Sequence, residues 1–358
     1  MHLSDVKSHA VHVLRQADVL NPLRLLSLIR KQISFLQLDL SGLTVLTEAA
    51  SGPYVVTPVI ASLAGAKRVL AVTQDSRYAT SDNVIMQTRA LEVMCEAATT
   101  IEIHKKRPLD LFSQADIITN LGFVRPLNRD AILAMKDTAV IPLMCEAWEL
   151  RPGDVEFEVC LARNIPVVGT NEDFPGLEVF SYSGFLCAKM LFEAQVEIHK
   201  STVMVVSSDK FGRVIARYLS DSGAYVELVD GLGKLPPKEL SGLDALIVAD
   251  YTRPDTIIGR DGDISSESFA SYASGITVVQ FAGKIDVDDL ILQGVNVYPG
   301  TKSDAHRMAR TLGYLGPRPV VELHAAGLKV GELILKQRGV LPKHPNDKQY
   351  DSLCMPLA

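Results

Sequence analysis

The stretch that decides the fold runs from Val203 to Asp230 and reads VMVVSSDKFGRVIARYLSDSGAYVELVD. An apolar run is followed by a short polar turn, a segment with apolar residues at helical spacing, and a second apolar run. This order predicts a strand, a turn, a helix and a second strand parallel to the first. Dinucleotide-binding sheets are built from such units, so the stretch predicts a domain of that kind.

The turn departs from the glycine pattern of these units. In the full pattern one glycine makes a tight turn, a second lets the backbone approach a pyrophosphate, and a third lets helix and strand pack closely. Those places hold Ser207, Asp209 and Gly212 here. Gly212 keeps the packing role. Asp209 puts a carboxylate where two phosphate charges would lie, which at a partly dry site would cost about 1 kcal/mol or more of cofactor affinity.

Two neighbouring residues favour a retained cofactor. Asp230 ends the second strand, where a carboxylate usually accepts hydrogen bonds from the ribose hydroxyls. Lys210 lies inside the turn and could offset the charge of Asp209 and contact a phosphate. The alternative is a domain that kept this fold and lost its ligand, and the turn alone leaves both interpretations open.

Strands and helices alternate along the rest of the chain. Residues 4–37 read as helix with a possible break at Asn21-Pro22, and apolar strands alternate with helices before and after a long helix predicted over 175–199. The fold class is therefore α/β, with two doubly wound parallel-sheet domains, Rossmann- or flavodoxin-like, and an interdomain cleft. The predicted parts are a substrate-type domain (1–174 plus 325–358), a linker helix (175–199) and a nucleotide-binding domain (200–324).

Composition excludes several classes of function. The chain has 358 residues and a formal charge of -6, with no lysine or arginine cluster, so nucleic acid is not an expected partner. It shows no signal-peptide pattern and no apolar run of membrane-spanning length, so no membrane partner is expected. Its five cysteines lack paired spacing, which predicts reduced thiols, no zinc site and a cytoplasmic location.

A competing pocket is predicted near the N-terminus. The segment TEAASGPYVVTP (47–58) follows a strand and enters a helix through small residues, and Asp75 ends the next strand. Small residues before a helix N-terminus suit an anion or a nucleotide. A plain structural turn is the alternative.

Three stretches resemble the D-2-hydroxyacid dehydrogenase superfamily, in particular the formate and glycerate dehydrogenase-like group. They are NIPVVGTNEDFPGLEVFSYSGFLCAKMLF (164–192), the turn-containing stretch from Ser201, and LDALIVADYTRPDTIIG (243–259). The resemblance covers about 40% of the chain. It implies a substrate domain built from both chain ends, a central domain for NAD, a cleft between them and a homodimer.

The family's catalytic residues carry over only in part. Its substrate-binding arginine would fall in ITVVQFAGKID (276–286), which has none, and the glutamate expected after the next strand is also missing. Only the histidine has a match, His324 in ELHAAG, which the resemblance implies as the proton donor.

The densest polar region is 298–327. Arg307 and Arg310 are three residues apart, so on a helix they would share a face and could clamp an anion. Glu322 and His324 are two apart, so in an extended segment the carboxylate would raise the pKa of the imidazole. Either Arg310 or Arg318 is the expected anion holder.

These features favour an NAD(P)-dependent oxidoreductase that acts on a small anionic metabolite, with NAD preferred because of Asp230. Whether the chain is an enzyme stays open at this point. The alternatives are a non-redox metabolite- or nucleotide-binding accessory protein, or a non-redox lyase or transferase. The predicted catalytic residues are His324, Glu322, Arg310 and Arg318. The predicted cofactor contacts are Ser207, Ser208, Asp209, Lys210, Phe211, Gly212, Asp230, Tyr251 and Thr252.

Overall fold

The computed structural model describes residues 3–17, 19–96, 99–233, 235–273 and 275–357. The chain forms two compact units. Unit 1 comprises Met1–Val179 and Gly316–Ala358, and unit 2 comprises Phe180–Leu315.

Helices and strands alternate through both units. The helices are α1 Leu3–Gln16, α2 Pro22–Leu36, α3 Val56–Leu63, α4 Ser81–Cys95, α5 Asp110–Gln114, α6 Arg129–Ala134, α7 Phe157–Ala162, α8 Tyr182–Glu193, α9 Lys210–Asp221, α10 Ser266–Tyr272, α11 Val287–Leu292 and α12 Pro317–Gln337. The strands are β1 Thr44–Glu48, β2 Arg68–Val72, β3 Ile101–His104, β4 Ile117–Ile118, β5 Ile141–Pro142, β6 Val167–Thr170, β7 Thr202–Val206, β8 Tyr225–Val229, β9 Ala245–Ala249, β10 Thr256–Ile258, β11 Thr277–Ala282, β12 Lys284–Ile285, β13 Asn296–Tyr298 and β14 Cys354–Pro356.

Unit 1 is built on parallel strands in the order β3-β2-β1-β4, followed by β5, β6 and β14. A parallel bridge between Ile117 and Val140 joins β4 to the segment that leads into β5. The strand β14 pairs with β6 in the antiparallel sense, on its outer side. The strand order reverses between β1 and β4, which makes their carboxyl ends one potential ligand-binding edge.

Local signals in the sequence explain where the helices of unit 1 begin. The break expected at Asn21-Pro22 is confirmed, because the Asn21 side chain accepts the Arg24 N–H and Pro22 is the first residue of α2. Asn128 caps α6 in the same way, because its side chain accepts the Ala131 N–H. The helix α12 begins with Pro317, and the residue before it, Gly316, has a φ of 129°. Glycine adopts this backbone conformation readily, whereas residues with a side chain rarely do.

Unit 2 contains a parallel sheet in the order β13-β11-β9-β7-β8. If these five strands are renumbered 1 to 5 along the chain and read from the β8 edge, the order is 2-1-3-4-5. This is a doubly wound arrangement whose strand order reverses between β7 and β9. The packing role of Gly212 is confirmed. A Cβ at that position would lie 2.3 Å from Ser207 Cβ and 3.0 Å from Leu228 Cδ1, so only glycine lets α9 lie this close to β7 and β8.

Three local expectations are wrong. The helix over 175–199 is shorter, because left-handed backbone at Gly176 and Glu178 precedes it and Gln195 follows its end. Arg307 and Arg310 do not share a helical face, since 299–311 forms irregular loop with His306 in a left-handed conformation. The segment around Glu322 and His324 is helical rather than extended.

Candidate functional site

The candidate site lies at the carboxyl edge of the unit 2 sheet, where the strand order reverses. The loop after β7 (207–209) and the loop after β9 (250–253) meet there. Ligands of open α/β sheets bind at such reversals because the two loops diverge to opposite faces of the sheet.

Asp209 fills the centre of this edge with its own carboxylate. Its Oδ1 accepts the Phe211 N–H at 2.8 Å, and its Oδ2 accepts the Tyr251 N–H at 2.6 Å and the Thr252 N–H at 3.3 Å. The Ser207 hydroxyl donates to Oδ1 at 3.1 Å. Asp209 therefore caps α9 and also binds the loop after β9. Backbone N–H groups at a helix start are the usual ligands of a phosphate, and here a side chain of the same unit takes one of them.

Asp250 makes the reciprocal contacts from the other loop. Its Oδ2 accepts the Ser208 N–H at 2.9 Å and the Ser208 hydroxyl at 2.8 Å, and its Oδ1 accepts the Arg253 N–H at 3.2 Å. We call Asp209 and Asp250 together the carboxylate clasp. Both side chains are buried, at 8% and 1% exposure, so the clasp is a fixed part of the edge.

Two like charges meet in the clasp. Burial raises the pKa of Asp209, and the nearby Asp250 carboxylate acts in the same direction. The N–H groups of Tyr251, Phe211 and Thr252 oppose this rise because they stabilise the ionised form. The clasp therefore brings two carboxylates close together, and backbone N–H groups already donate hydrogen bonds to both of them.

The remaining predicted cofactor residues divide by exposure. Ser208, Asp230 and Thr252 are exposed at the carboxyl edge, whereas Ser207, Phe211, Gly212 and Tyr251 are buried. Phe211 packs against Phe180 and Phe281 at ring-centroid distances of 4.7 and 5.4 Å, so its role is in the core. Lys210 is half-buried with its Nζ 4.0 Å from the Phe180 ring centroid.

A cation that the predicted site left out also reaches this edge. Arg253 follows β9, and its guanidinium forms a two-point ion pair with Asp263, with Nη1 2.7 Å from Oδ2 and Nη2 also in contact with Oδ1. Asp263 Oδ2 in turn accepts the Leu232 N–H at 3.0 Å in the loop after β8. The pair therefore joins the loops after β8 and β9, the two strands that flank β7.

The four residues predicted to be catalytic fall in different units. Arg310 belongs to unit 2, where its guanidinium lies 5.2 Å from the Tyr314 ring centroid. Arg318, Glu322 and His324 lie on α12 in unit 1. Arg318 and Glu322 form an ion pair at 3.3 Å one turn apart.

The expected effect of Glu322 on His324 is wrong. His324 is 3% exposed, and its Nδ1 lies 2.6 Å from Thr57 Oγ1. Burial lowers the pKa of His324 to about 3, so the ring is neutral at pH 7. On a helix, residues two apart point to different sides, which separates the carboxylate from the imidazole.

Unit 1 holds a buried carboxylate at its own reversal of strand order. Glu48 ends β1, is 6% exposed, and accepts the Phe123 N–H at 3.1 Å. Burial raises its pKa to about 7, although the N–H groups of Phe123 and Gly122 oppose the rise. Glu48 was not among the site residues predicted from the sequence. The available signal was an acidic residue at the end of an apolar strand, directly before a loop of small residues.

In unit 1, protein side chains already bind the backbone N–H groups of the segment predicted as a competing pocket and of the helix start that follows Asp75. The Gly52 N–H donates to Gln87 Oε1 at 3.1 Å. Asp75 accepts the Ser81 N–H at 2.7 Å, and the hydrogen bonds from Ser81 lower the pKa of Asp75. Both groups therefore stabilise helix starts.

The cysteines are present as free thiols. Burial raises the pKa of Cys145 well above its usual range, which opposes thiolate formation. Within the described residues, no group of three metal-ligating side chains is placed to hold an ion, and no helix is long and apolar enough to span a bilayer.

Comparison with known proteins finds likeness only at the level of structure. No family model and no curated protein matches the chain. The solved structure of a dipicolinate synthase subunit from Bacillus halodurans has 14% identity, covers 83% of this chain and 99% of its own, and has a TM-score of 0.52. The corresponding dipicolinate synthase polypeptide from Bacillus subtilis has 14% identity, with coverage of 84% and 99% and a TM-score of 0.53.

Dehydrogenases of the group that the sequence resembles are also among the similar structures. NAD-dependent formate dehydrogenase from Staphylococcus aureus, solved in complex with NAD, has 13% identity, coverage of 78% and 97%, and a TM-score of 0.43. At these identities the likeness concerns the fold, and the predicted α/β architecture is confirmed by the two dipicolinate synthase structures.

Proposed function

We propose that unit 2 binds NAD at the carboxyl edge between β7 and β9, and that the protein is an NAD(P)-dependent oxidoreductase acting on a small anionic metabolite. The observation that supports this most directly is the reversal of strand order at β7 and β9, with Asp230 exposed at the end of the neighbouring strand β8. This is the place and the acidic residue with which doubly wound sheets hold the ribose of NAD.

The exposed polar groups of the edge have roles that fit a nucleotide. The Asp230 carboxylate accepts the adenosine ribose hydroxyls. Ser208 and Thr252 are exposed at the same edge, and their hydroxyls donate to Asp250. The nicotinamide supplies hydride transfer when it is bound. The chain itself positions the ligand and excludes water at the buried part of the edge.

The catalytic assignments stay predictions. A proton donor and a cation for the substrate's anionic group are required for this chemistry. Either Arg310 or Arg318 is the proposed anion holder. His324 is the proposed proton donor, and Glu322 lies on the same helix. Because the His324 ring is buried beside Thr57 and neutral at pH 7, it can donate a proton only if that interior opens and its pKa rises. A homodimer is part of the same proposal.

A second function is favoured by the carboxylate clasp. Asp209 holds an N–H group that a pyrophosphate would use, and it adds negative charge where two phosphates would lie. A ligand without a pyrophosphate avoids this conflict. Unit 2 would then bind a nucleoside or another metabolite, and the protein would be a non-redox accessory protein or a lyase or transferase.

A calorimetric titration with NADH and NADPH separates the two functions, with Asp209→Gly measured alongside. Micromolar binding of NADH by the wild type, tighter than that of NADPH, supports the oxidoreductase. Binding by the variant alone would mean that the clasp excludes the cofactor, which favours the second function. If neither protein binds either nucleotide, the ligand of this protein is not a nicotinamide cofactor.

A further inference from the structure

The ion pair between Arg253 and Asp263 lies at the carboxyl edge of unit 2 and joins the loops after β8 and β9. The two side chains are 24% and 17% exposed, so the pair is partly shielded from water. Hydrogen bonding to Asp263 raises the pKa of Arg253, and hydrogen bonding to Arg253 lowers the pKa of Asp263. The guanidinium is therefore charged at every physiological pH and held in one place.

Backbone contacts on both sides set the position of this guanidinium. The Arg253 N–H donates to Asp250 at 3.2 Å, which ties the residue to the clasp. At the other end, a Cβ on Gly231 would lie 3.2 Å from Asp263 Oδ2 and 3.6 Å from Arg253 Nη1. Gly231 directly follows Asp230, the proposed ribose contact. The cation thus lies between the clasp and the ribose end of the site.

A pyrophosphate joins the ribose to the rest of a dinucleotide, so it must pass through the same interval. In sheets with three glycines its charge is held by helix N–H groups. In this chain Asp209 occupies one of those donors. A guanidinium presents five N–H donors in a planar fork that matches phosphate oxygens, and the Asp263 pair uses two of them.

We infer that Arg253, held by Asp263, is the residue that binds the pyrophosphate of the nucleotide in unit 2, in place of the helix N–H group of Phe211 that Asp209 occupies. This inference rests on the proposed nucleotide site and names its anion-binding residue. Asp263 balances the charge of Arg253 in the free protein, so the pyrophosphate would bind through the guanidinium N–H donors that the ion pair leaves unused.

The test compares ADP-ribose with adenosine, because both carry the ribose and base but only ADP-ribose carries the pyrophosphate. Binding of each to wild type, Arg253→Met and Arg260→Met is measured by calorimetry. Arg260 is an exposed arginine in the same segment and is the matched control. Thermal unfolding of each variant is recorded, and Arg253→Lys, which keeps the charge, is added so that a poorly folded methionine variant does not decide the result.

Arg253→Met is expected to weaken ADP-ribose binding roughly 10- to 100-fold and to change adenosine binding by less than about 2-fold. Arg253→Lys should fall between wild type and the methionine variant, and Arg260→Met should leave both ligands unchanged. Equal weakening of both ligands would show a structural role for the ion pair and overturn the inference, as would unchanged ADP-ribose binding. If the wild type binds adenosine but not ADP-ribose, the inference fails while a nucleoside site remains. If it binds neither, the nucleotide site itself is refuted.

Discussion

Replacing Asp209 by alanine should destabilise unit 2 by more than the loss of an ordinary helix cap. The cap itself, the Phe211 N–H at 2.8 Å, is worth about 0.5–2 kcal/mol. The variant also removes the 2.6 Å acceptor of the Tyr251 N–H, and because Tyr251 is 8% exposed, water replaces that acceptor poorly. Such a loss costs about 1–3 kcal/mol. The Thr252 N–H belongs to an exposed residue and adds little.

One effect acts in the opposite direction. Removing Asp209 relieves its repulsion with Asp250, so the net loss should be about 1–4 kcal/mol, below the full sum of about 1.5–5 kcal/mol. The variant Asp286→Ala is the matched control, since Asp286 caps α11 through one N–H, that of Asp289 at 3.3 Å. It should lose only about 0.5–2 kcal/mol.

The assay is urea unfolding at pH 7 together with hydrogen–deuterium exchange of peptides that cover 203–230 and 245–253. We expect Asp209→Ala to lower the free energy of unfolding more than Asp286→Ala does. We also expect Asp209→Ala to accelerate exchange in both peptides. Equal losses in the two variants, with faster exchange only at the start of α9, would refute the role of Asp209 in joining the two loops.

Three further predictions concern buried positions. Gly212→Ala should cost about 1–3 kcal/mol in urea unfolding, because its Cβ would lie 2.3 Å from Ser207 Cβ; an unchanged midpoint would contradict the close packing. Burial raises the pKa of Glu48 from 4.5 to about 7, so wild type loses stability as pH rises through that window. Glu48→Gln should therefore gain up to roughly 3 kcal/mol over wild type at pH 8 and little at pH 4, and a gain independent of pH would count against the shift. Lys329→Met should lower the free energy of unfolding in urea by about 3 kcal/mol, because it removes one of the two lysines that balance the charge of the fully buried Glu332 carboxylate. An unchanged free energy of unfolding would show that Lys336 alone balances that charge.

The parts of the fold that follow from local signals were predictable. Apolar runs separated by turns gave the strands, Asn21-Pro22 marked the start of α2, and the need for a small residue after β7 identified Gly212. Each of these depends on residues that are close together in the chain. The structure adds only their exact bounds.

The clasp was not predictable in the same way. The sequence placed the Asp209 carboxylate in the turn before α9, but its bond to Tyr251 joins residues 42 positions apart and depends on β9 lying beside β7. Nothing in the spacing of the sequence determines that order of strands. Arg253 and its partner Asp263 are separated in the chain by β10, so the spacing of the sequence does not connect them.

The misplaced histidine has a different cause. The spacing of Glu322 and His324 was interpreted as the face of an extended segment, although Pro317 after a glycine already favoured a helix start. Helical geometry then directs His324 into the interior of unit 1, where it contacts Thr57. A polar cluster in sequence does not imply a polar cluster in space when the period of the backbone is misjudged.

The proposed nucleotide site between β7 and β9 can be tested by hydrogen–deuterium exchange of the wild-type protein with and without saturating NADH. This measurement locates the bound ligand as well as detecting it. If NADH binds at this site, we expect it to slow exchange in peptides that cover 207–212, 230–233 and 250–253 of unit 2. Absence of any protection, or protection confined to 48–54 and 119–123 at the edge of unit 1, would contradict a nucleotide site between β7 and β9.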